Sequence, residues 1–242
     1  MSPSASTANN RQTDIAANLA GIRARIASAC ARAGRPPDAV RLLPVSKTQP
    51  AERLRAAFAA GCSAFGENKV QEALDKAQAL ADLPIRWCLI GHLQTNKAKY
   101  AARFIDEFQA LDSLRLAETL DRRLQAEGRG MDVFIEVNTS GEASKFGLPP
   151  EAVTDFVAGL KPFSALRPRG LMTLAVDSPD REAVRDCFRR LRALRERVCD
   201  TGATGQAFDQ LSMGMSGDFE LAIEEGATVV RIGQAIFGAR PA

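Results

Sequence analysis

The chain has 242 residues, 45% apolar and 25% charged, which are ordinary values for a globular fold large enough to bury a core without staples. Its net charge of +3, from 32 basic and 29 acidic residues, is too small to argue for a nucleic-acid partner. Five scattered cysteines without a C-x-x-C pair and a single histidine, His92, argue against a disulfide frame, most metal sites and a Ser-His-Asp triad.

Residues 1–13 are small and polar and lack the apolar core of a signal peptide. They read as a disordered leader, with residues 14–242 as one domain. No apolar run approaches a membrane span, so a soluble, cytoplasmic protein without a membrane partner is expected. A helical pattern covers 15–33. The first strand, 41–45 (RLLPV), runs into Ser46-Lys47, and a helix over 51–60 stops at Gly61. Ala64-Phe65 leads into Gly66-Glu67-Asn68 and then a helix to about Leu80. The third strand, 87–90 (WCLI), precedes a helical stretch over 95–102. The fourth, 108–111, precedes a helix to about Glu127.

Residues 132–137 (DVFIEV) form the clearest strand, and Asn138 opens a polar loop. A helix over 151–160 and a strand over 168–174 follow. Residues 181–198 place Val184, Cys187, Phe188, Leu191, Leu194 and Val198 at helical spacing among arginines. This is an amphipathic helix with a solvated face rather than a phosphate-binding stripe. Strand seven starts over 210–213, a short helix covers 218–225, and strand eight is 228–232 (TVVRI).

Eight strands alternating with helices predict an α/β fold, a single (β/α)8 barrel, with a doubly wound sheet as runner-up. Strand eight is followed by too few residues for a long helix. The extra N-terminal helix is therefore expected to fill that gap in the outer ring.

In such a barrel the reactive groups follow the strands. The residues to read are Lys47, Glu67-Asn68, Gly91-His92, Asp112-Ser113, Asn138, Thr173, Ser212 to Ser216 and Arg231 to Gly233. A lysine over an apolar interior loses hydration, which lowers its pKa and leaves a neutral amine able to attack an aldehyde. From the local pattern alone, a surface lysine beyond a strand end is the commoner outcome. The segment 211–218 (LSMGMSGD) lets backbone approach a ligand, and Ser216 or Gly217 is read as lying where the next helix begins. With 230–238 (VRIGQAIFG) it makes two glycine turns at adjacent strand ends, the usual place for a phosphate in a barrel. Arg231 divides evenly between an outward ion pair and an inward ligand contact. His92 is open between a general base and a loop-fixing role. The loops 91–97 and 138–147 are candidates for the mouth of a pocket.

Six segments carry a resemblance: LLPVSKTQP (42–50), FGENKVQEALDKAQAL (65–80), WCLIGHLQTNKAK (87–99), VFIEVNTSGEASKFGL (133–148), GLMTLA (170–175) and the long, specific LSMGMSGDFELAIEEGATVVRIGQAIFGAR (211–240). With these the chain resembles the pyridoxal phosphate homeostasis protein family, whose fold is similar to an isolated alanine racemase N-terminal domain. The resemblance implies that Lys47 holds pyridoxal 5′-phosphate (PLP) as a Schiff base. It also implies that Ser216, Gly233 and the backbone at Gln234 hold the phosphate, that Arg231 faces the pyridine nitrogen, and that Asn68 lies near the ring. The expected cofactor-binding set is Lys47, Asn68, Ser212, Met213, Ser216, Arg231, Gly233 and Gln234, with no catalytic residue and no metal. Departures from the family pattern are Cys88 for a histidine, Gln109-Ala110 for a His-Ser pair, and Gln234 for a threonine whose hydroxyl is thereby lost.

An arginine at the pyridine nitrogen keeps the ring unprotonated and weakens it as an electron sink. Racemisation also needs a second base on the opposite ring face, and the only tyrosine, Tyr100, falls in an outer helical stretch. The expectation is therefore a PLP holder that delivers to apoenzymes, little or no turnover, and a monomer. A weak PLP-dependent racemase and a cofactor-free Schiff-base aldolase are the alternatives.

Overall fold

In the computed structural model, which describes residues 14–202 and 208–238, every strand expected from the sequence is present and parallel. The leader assigned to 1–13 lies outside the described residues. The strands are β1 (Arg41–Pro44), β2 (Ala64–Glu67), β3 (Arg86–Leu89), β4 (Glu107–Leu111), β5 (Met131–Glu136), β6 (Leu166–Met172), β7 (Gln210–Ser212) and β8 (Val229–Ile232). Hydrogen bonding runs β1-β8-β7-β6-β5-β4-β3-β2. A parallel bridge, Val45 to Gly66, brings β1 back to β2 and nearly closes the ring. Most strand residues are buried on both sides, as parallel strands covered by helices require.

The described helices are α1 (Ile15–Arg32), α2 (Ala51–Ala59), α3 (Val70–Ala79), α4 (Ala98–Phe104), α5 (Leu114–Ala126), α6 (Val153–Gly159), α7 (Arg181–Asp200), α8 (Phe219–Glu224) and α9 (Gln234–Phe237). Two start later than their apolar pattern suggests. A 3-10 turn at Thr95–Lys97 precedes α4, and another at Pro150–Ala152, opened by a proline pair, precedes α6. The long basic helix behaves as expected. Asp180 caps it, and Val184, Cys187, Phe188, Leu191, Leu194 and Val198 are buried.

Helix α1 is set by Asp14, whose carboxylate accepts the Ala17 N–H at 2.9 Å as an N-cap. Ile15, Leu19, Ile22, Ile26, Ala29 and Cys30 form its buried stripe. It packs on α8, α9 and α2, and Asn18 donates to the Ile236 carbonyl at 2.9 Å. The leading helix thus occupies the place in the ring that the four-residue α9 leaves short. Leu19 is fully buried, so Leu19→Ala should cost about 2–5 kcal/mol of unfolding free energy, read by urea titration. A cost below about 1 kcal/mol would show that α1 is dispensable to the core.

Candidate cofactor-binding site

At the carboxyl end of the barrel lies a cavity of about 620 Å³, within the usual size for small-ligand sites. Its walls come from the ends of β1, β2, β3, β6, β7 and β8. Lys47, Asn68, Ser216, Arg231, Gly233 and Gln234 all line it. The structure therefore brings together six of the eight residues singled out from sequence. Val45, Gln49, Ile90, Leu174, Met215, Gly217 and Gly238 complete the lining. Met215, Gly217 and Gly238 fall inside the two glycine turns already read from sequence; Val45, Ile90 and Leu174 carry no signal beyond lying one or two residues past a strand, and Gln49 carries none.

Lys47 sits in a tight turn. Val45 N–H donates to the Ile232 carbonyl at 2.9 Å and Ser46 N–H to the Gly66 carbonyl at 3.0 Å, so the preceding residues are tied to both neighbouring strands. Thr48 then takes φ +64°, an uncommon conformation for a β-branched residue.

Arg231 points inward and is buried. Its guanidinium donates to Ser212 Oγ at 2.6 Å and to the Thr173 carbonyl at 2.7 Å. Both acceptors are neutral. Burial lowers its pKa to about 10, against the pull of Asp218 and Glu136. Ser212 is not part of the lining but lies behind Arg231. Its hydroxyl donates to Gln109 Oε1 at 2.7 Å, and Gln109 Nε2 donates to Glu107 at 2.6 Å. Glu107 accepts from Arg41 at 2.8 Å near the other end of the barrel. This chain accounts for Gln109: the position needs both a donor and an acceptor. Cys88, the other interior departure from the family pattern, is fully buried, and that burial pushes its thiol pKa up. Met213 is also fully buried and is not among the residues that line the cavity.

The glycine turns differ from the sequence reading in one respect. Helix α8 begins at Phe219 with Asp218 in the cap position, so Ser216 and Gly217 precede it by two residues or more. A helix dipole aimed through them is therefore not the source of any anion affinity. The Asp218 carboxylate instead accepts the Met215 N–H at 2.5 Å and shapes the turn. Gly233 does cap a helix, the short α9, which begins at Gln234. Gly217 opens onto clear space, and a Cβ built on Gly233 would lie 3.0 Å from the Val45 carbonyl oxygen. The Gly217 backbone is thus open to a ligand's close approach, while Gly233 lets its turn pack tightly against the end of β1.

Neither the 91–97 loop nor the 138–147 loop contributes lining residues. His92 stacks on Phe146, with centroids 4.6 Å apart, and its Nδ1 is 4.0 Å from Asp112. That arrangement fixes loops to one another. Glu136, at the end of β5, is buried beside Asp112 and within reach of the Arg231 field. Burial first, then Asp112, lifts its pKa to about 7. No cluster of three metal-ligating side chains occurs among the described residues.

An eight-stranded parallel barrel with a lysine after β1 and an inward arginine on β8 facing one cavity defines a barrel of the alanine racemase N-terminal class. The family model for the alanine racemase N-terminal domain matches residues 17–241. The chain is 46% identical over 226 residues to the pyridoxal phosphate homeostasis protein of Pseudomonas aeruginosa, covering 93% of this chain and 96% of that one. To the protein of the same name in Escherichia coli K12 it is 41% identical over 230 residues, covering 94% and 97%. The structure of PipY from Synechococcus elongatus PCC7942 with PLP bound superposes with a TM-score of 0.82 at 35% identity, covering 93% of this chain and all of that one. Alanine racemase of Clostridium difficile 630 shares the fold, with a TM-score of 0.75 at 15% identity, and this chain spans 57% of its length. The chain belongs to the pyridoxal phosphate homeostasis protein family.

Proposed function

We propose that this protein holds PLP as a Schiff base on Lys47, buffers the free aldehyde in the cytoplasm, and hands it to PLP-dependent apoenzymes as a monomer. The observation that carries the reading is that Lys47, Arg231 and both glycine turns face one cavity. When bound, the cofactor supplies an electrophilic aldehyde and a conjugated ring able to accept electrons. The residues present fit it. Ser216 offers a hydroxyl, and Gly217, Gly233 and Gln234 offer close backbone, for the phosphate. Gln234 lacks the hydroxyl of a threonine but keeps its N–H.

Arg231 donates to neutral acceptors, so its charge would remain for the pyridine nitrogen, which it would keep unprotonated. Asn68 would lie beside the ring, and Ile90, Leu174 and Met215 would supply apolar walls. A cation at that nitrogen weakens carbanion chemistry. Tyr100 lies on α4 against Lys97 and Lys99, away from the cavity, so it offers no base for the opposite ring face. Holding is therefore favoured over racemisation. No helix among the described residues is long and apolar enough to cross a membrane.

The test is borohydride reduction of the PLP-loaded protein followed by peptide mapping. The pyridoxyl group should appear on the peptide containing Lys47. Lys47→Ala should lose the label and bind PLP at least about tenfold more weakly. Label on another lysine would overturn the assignment, and amino-acid racemisation at enzyme-like rates would overturn the holding role.

A further inference from the structure

The motif FGENKVQEALDKAQAL supplies Asn68 to the cavity, yet its charged residues Glu67, Glu72 and Lys76 do not line it. They meet behind it. Lys76 is 7% exposed, and its ammonium uses all three N–H groups. It donates to the Ser46 carbonyl, to Glu67 Oε1 and to Glu72 Oε1, each at 2.7 Å. Ser46 Oγ donates to the same Glu67 oxygen at 2.6 Å, and the Thr48 N–H donates to the same Glu72 oxygen at 2.5 Å.

Every one of these bonds ends on a residue adjacent to Lys47 or on the cluster itself. Ser46 is gripped through its carbonyl and its hydroxyl. Thr48 is gripped through its amide while it holds φ +64°. A β-branched residue leaves that conformation unless its surroundings over-determine it. The cluster is also costly in itself. Glu67 is fully buried, its second oxygen has no hydrogen-bond partner, and burial raises its pKa against the pull of Lys76 and Ser46. Such a group is a poor way to gain stability alone.

We propose that Lys76, through Glu67 and Glu72, is the positioning residue for Lys47, holding its turn so that the amine meets a ligand aldehyde in the cavity. This rests on the reading of Lys47 as the PLP lysine. The bond in question joins the Lys47 nitrogen to the aldehyde carbon. The carbonyl oxygen leaves as water with the two protons of the neutral amine. The phosphate turns and Arg231 come from the ends of β7 and β8 and do not pass through Lys76; Asn68, which follows Glu67, is the one ring contact on the same segment.

The test compares two ligands with the same ring and phosphate: PLP, and pyridoxine 5′-phosphate, whose alcohol cannot form the bond. Lys76→Met should weaken PLP at least about tenfold while pyridoxine 5′-phosphate changes less than about twofold. Borohydride label on Lys47 should fall in parallel. Equal weakening of both ligands would mean a general collapse of the site and overturn the proposal, as would no change in either. Should Lys76→Met fail to fold by circular dichroism, Glu67→Gln keeps the size and one acceptor. There the ratio of the two affinities should shift by about threefold, and an unchanged ratio overturns the proposal. A wild-type protein unlabelled at Lys47 would instead sink the PLP assignment, whatever the variants do.

Discussion

Gly214→Ala should lower the unfolding free energy by about 3 kcal/mol or more and release PLP as the turn moves. Gly214 has φ +94°, where an L side chain is strained, and a Cβ there would lie 2.6 Å from the Ala222 Cβ and 2.9 Å from the Phe219 Cα. Neither neighbour can yield, because Ala222 is fully buried and Phe219 nearly so. The Gly214 carbonyl also accepts the Arg231 N–H at 2.9 Å, so displacement disturbs β8 as well. Met215, Ser216 and Gly217 follow directly and would shift away from the cavity. Gly217→Ala is the control. Its Cβ meets nothing within 4 Å, so stability should stay within about 0.5 kcal/mol. PLP should bind more weakly there, because Gly217 lines the cavity. Urea titration followed by the single tryptophan, Trp87, reads the first quantity, and PLP titration reads the second. A Gly214→Ala protein as stable as the wild type would refute the packing described for this turn.

The fold was legible because each strand is bounded by its own punctuation. DVFIEV ends in Asn138, and TVVRI ends in Gly233. The placement of Lys47 and the glycine turns followed from that alternation, since a barrel puts all strand ends on one face. What stayed hidden depends on contacts between distant segments. The two-residue period of a strand separates Ser212 from Met213 but does not say which faces the interior. It left Arg231 undecided for the same reason. Gln109 from β4 and the carbonyl of Thr173 beyond β6 settle both, by giving Ser212 and Arg231 inward partners. Lys76 was equally unreadable. At i+4 from Glu72 it carries the pattern of a solvated helix pair, worth little at a surface. Only the packing of α3 under the Lys47 turn buries it.

Glu136 is where the barrel interior should respond to pH. In the unfolded chain its carboxyl titrates near 4.5, and in the folded protein near 7. Below the lower value both states are protonated and the residue costs nothing. As pH rises through this window the unfolded chain ionises first, the folded protein holds the extra proton, and stability falls. Above the upper value the full cost, about 3 kcal/mol, is in place. Glu136→Gln removes the charge and keeps the shape. The variant should therefore match the wild type at pH 4 and exceed it at pH 8 by about that amount, measured by urea unfolding. The protonated carboxyl also removes one of the two anionic influences on the buried Arg231, leaving that of Asp218. A wild type whose advantage over Glu136→Gln grows with pH would mean that Arg231 holds Glu136 as an ion pair, and the neutral-acceptor account of the arginine would fail with it.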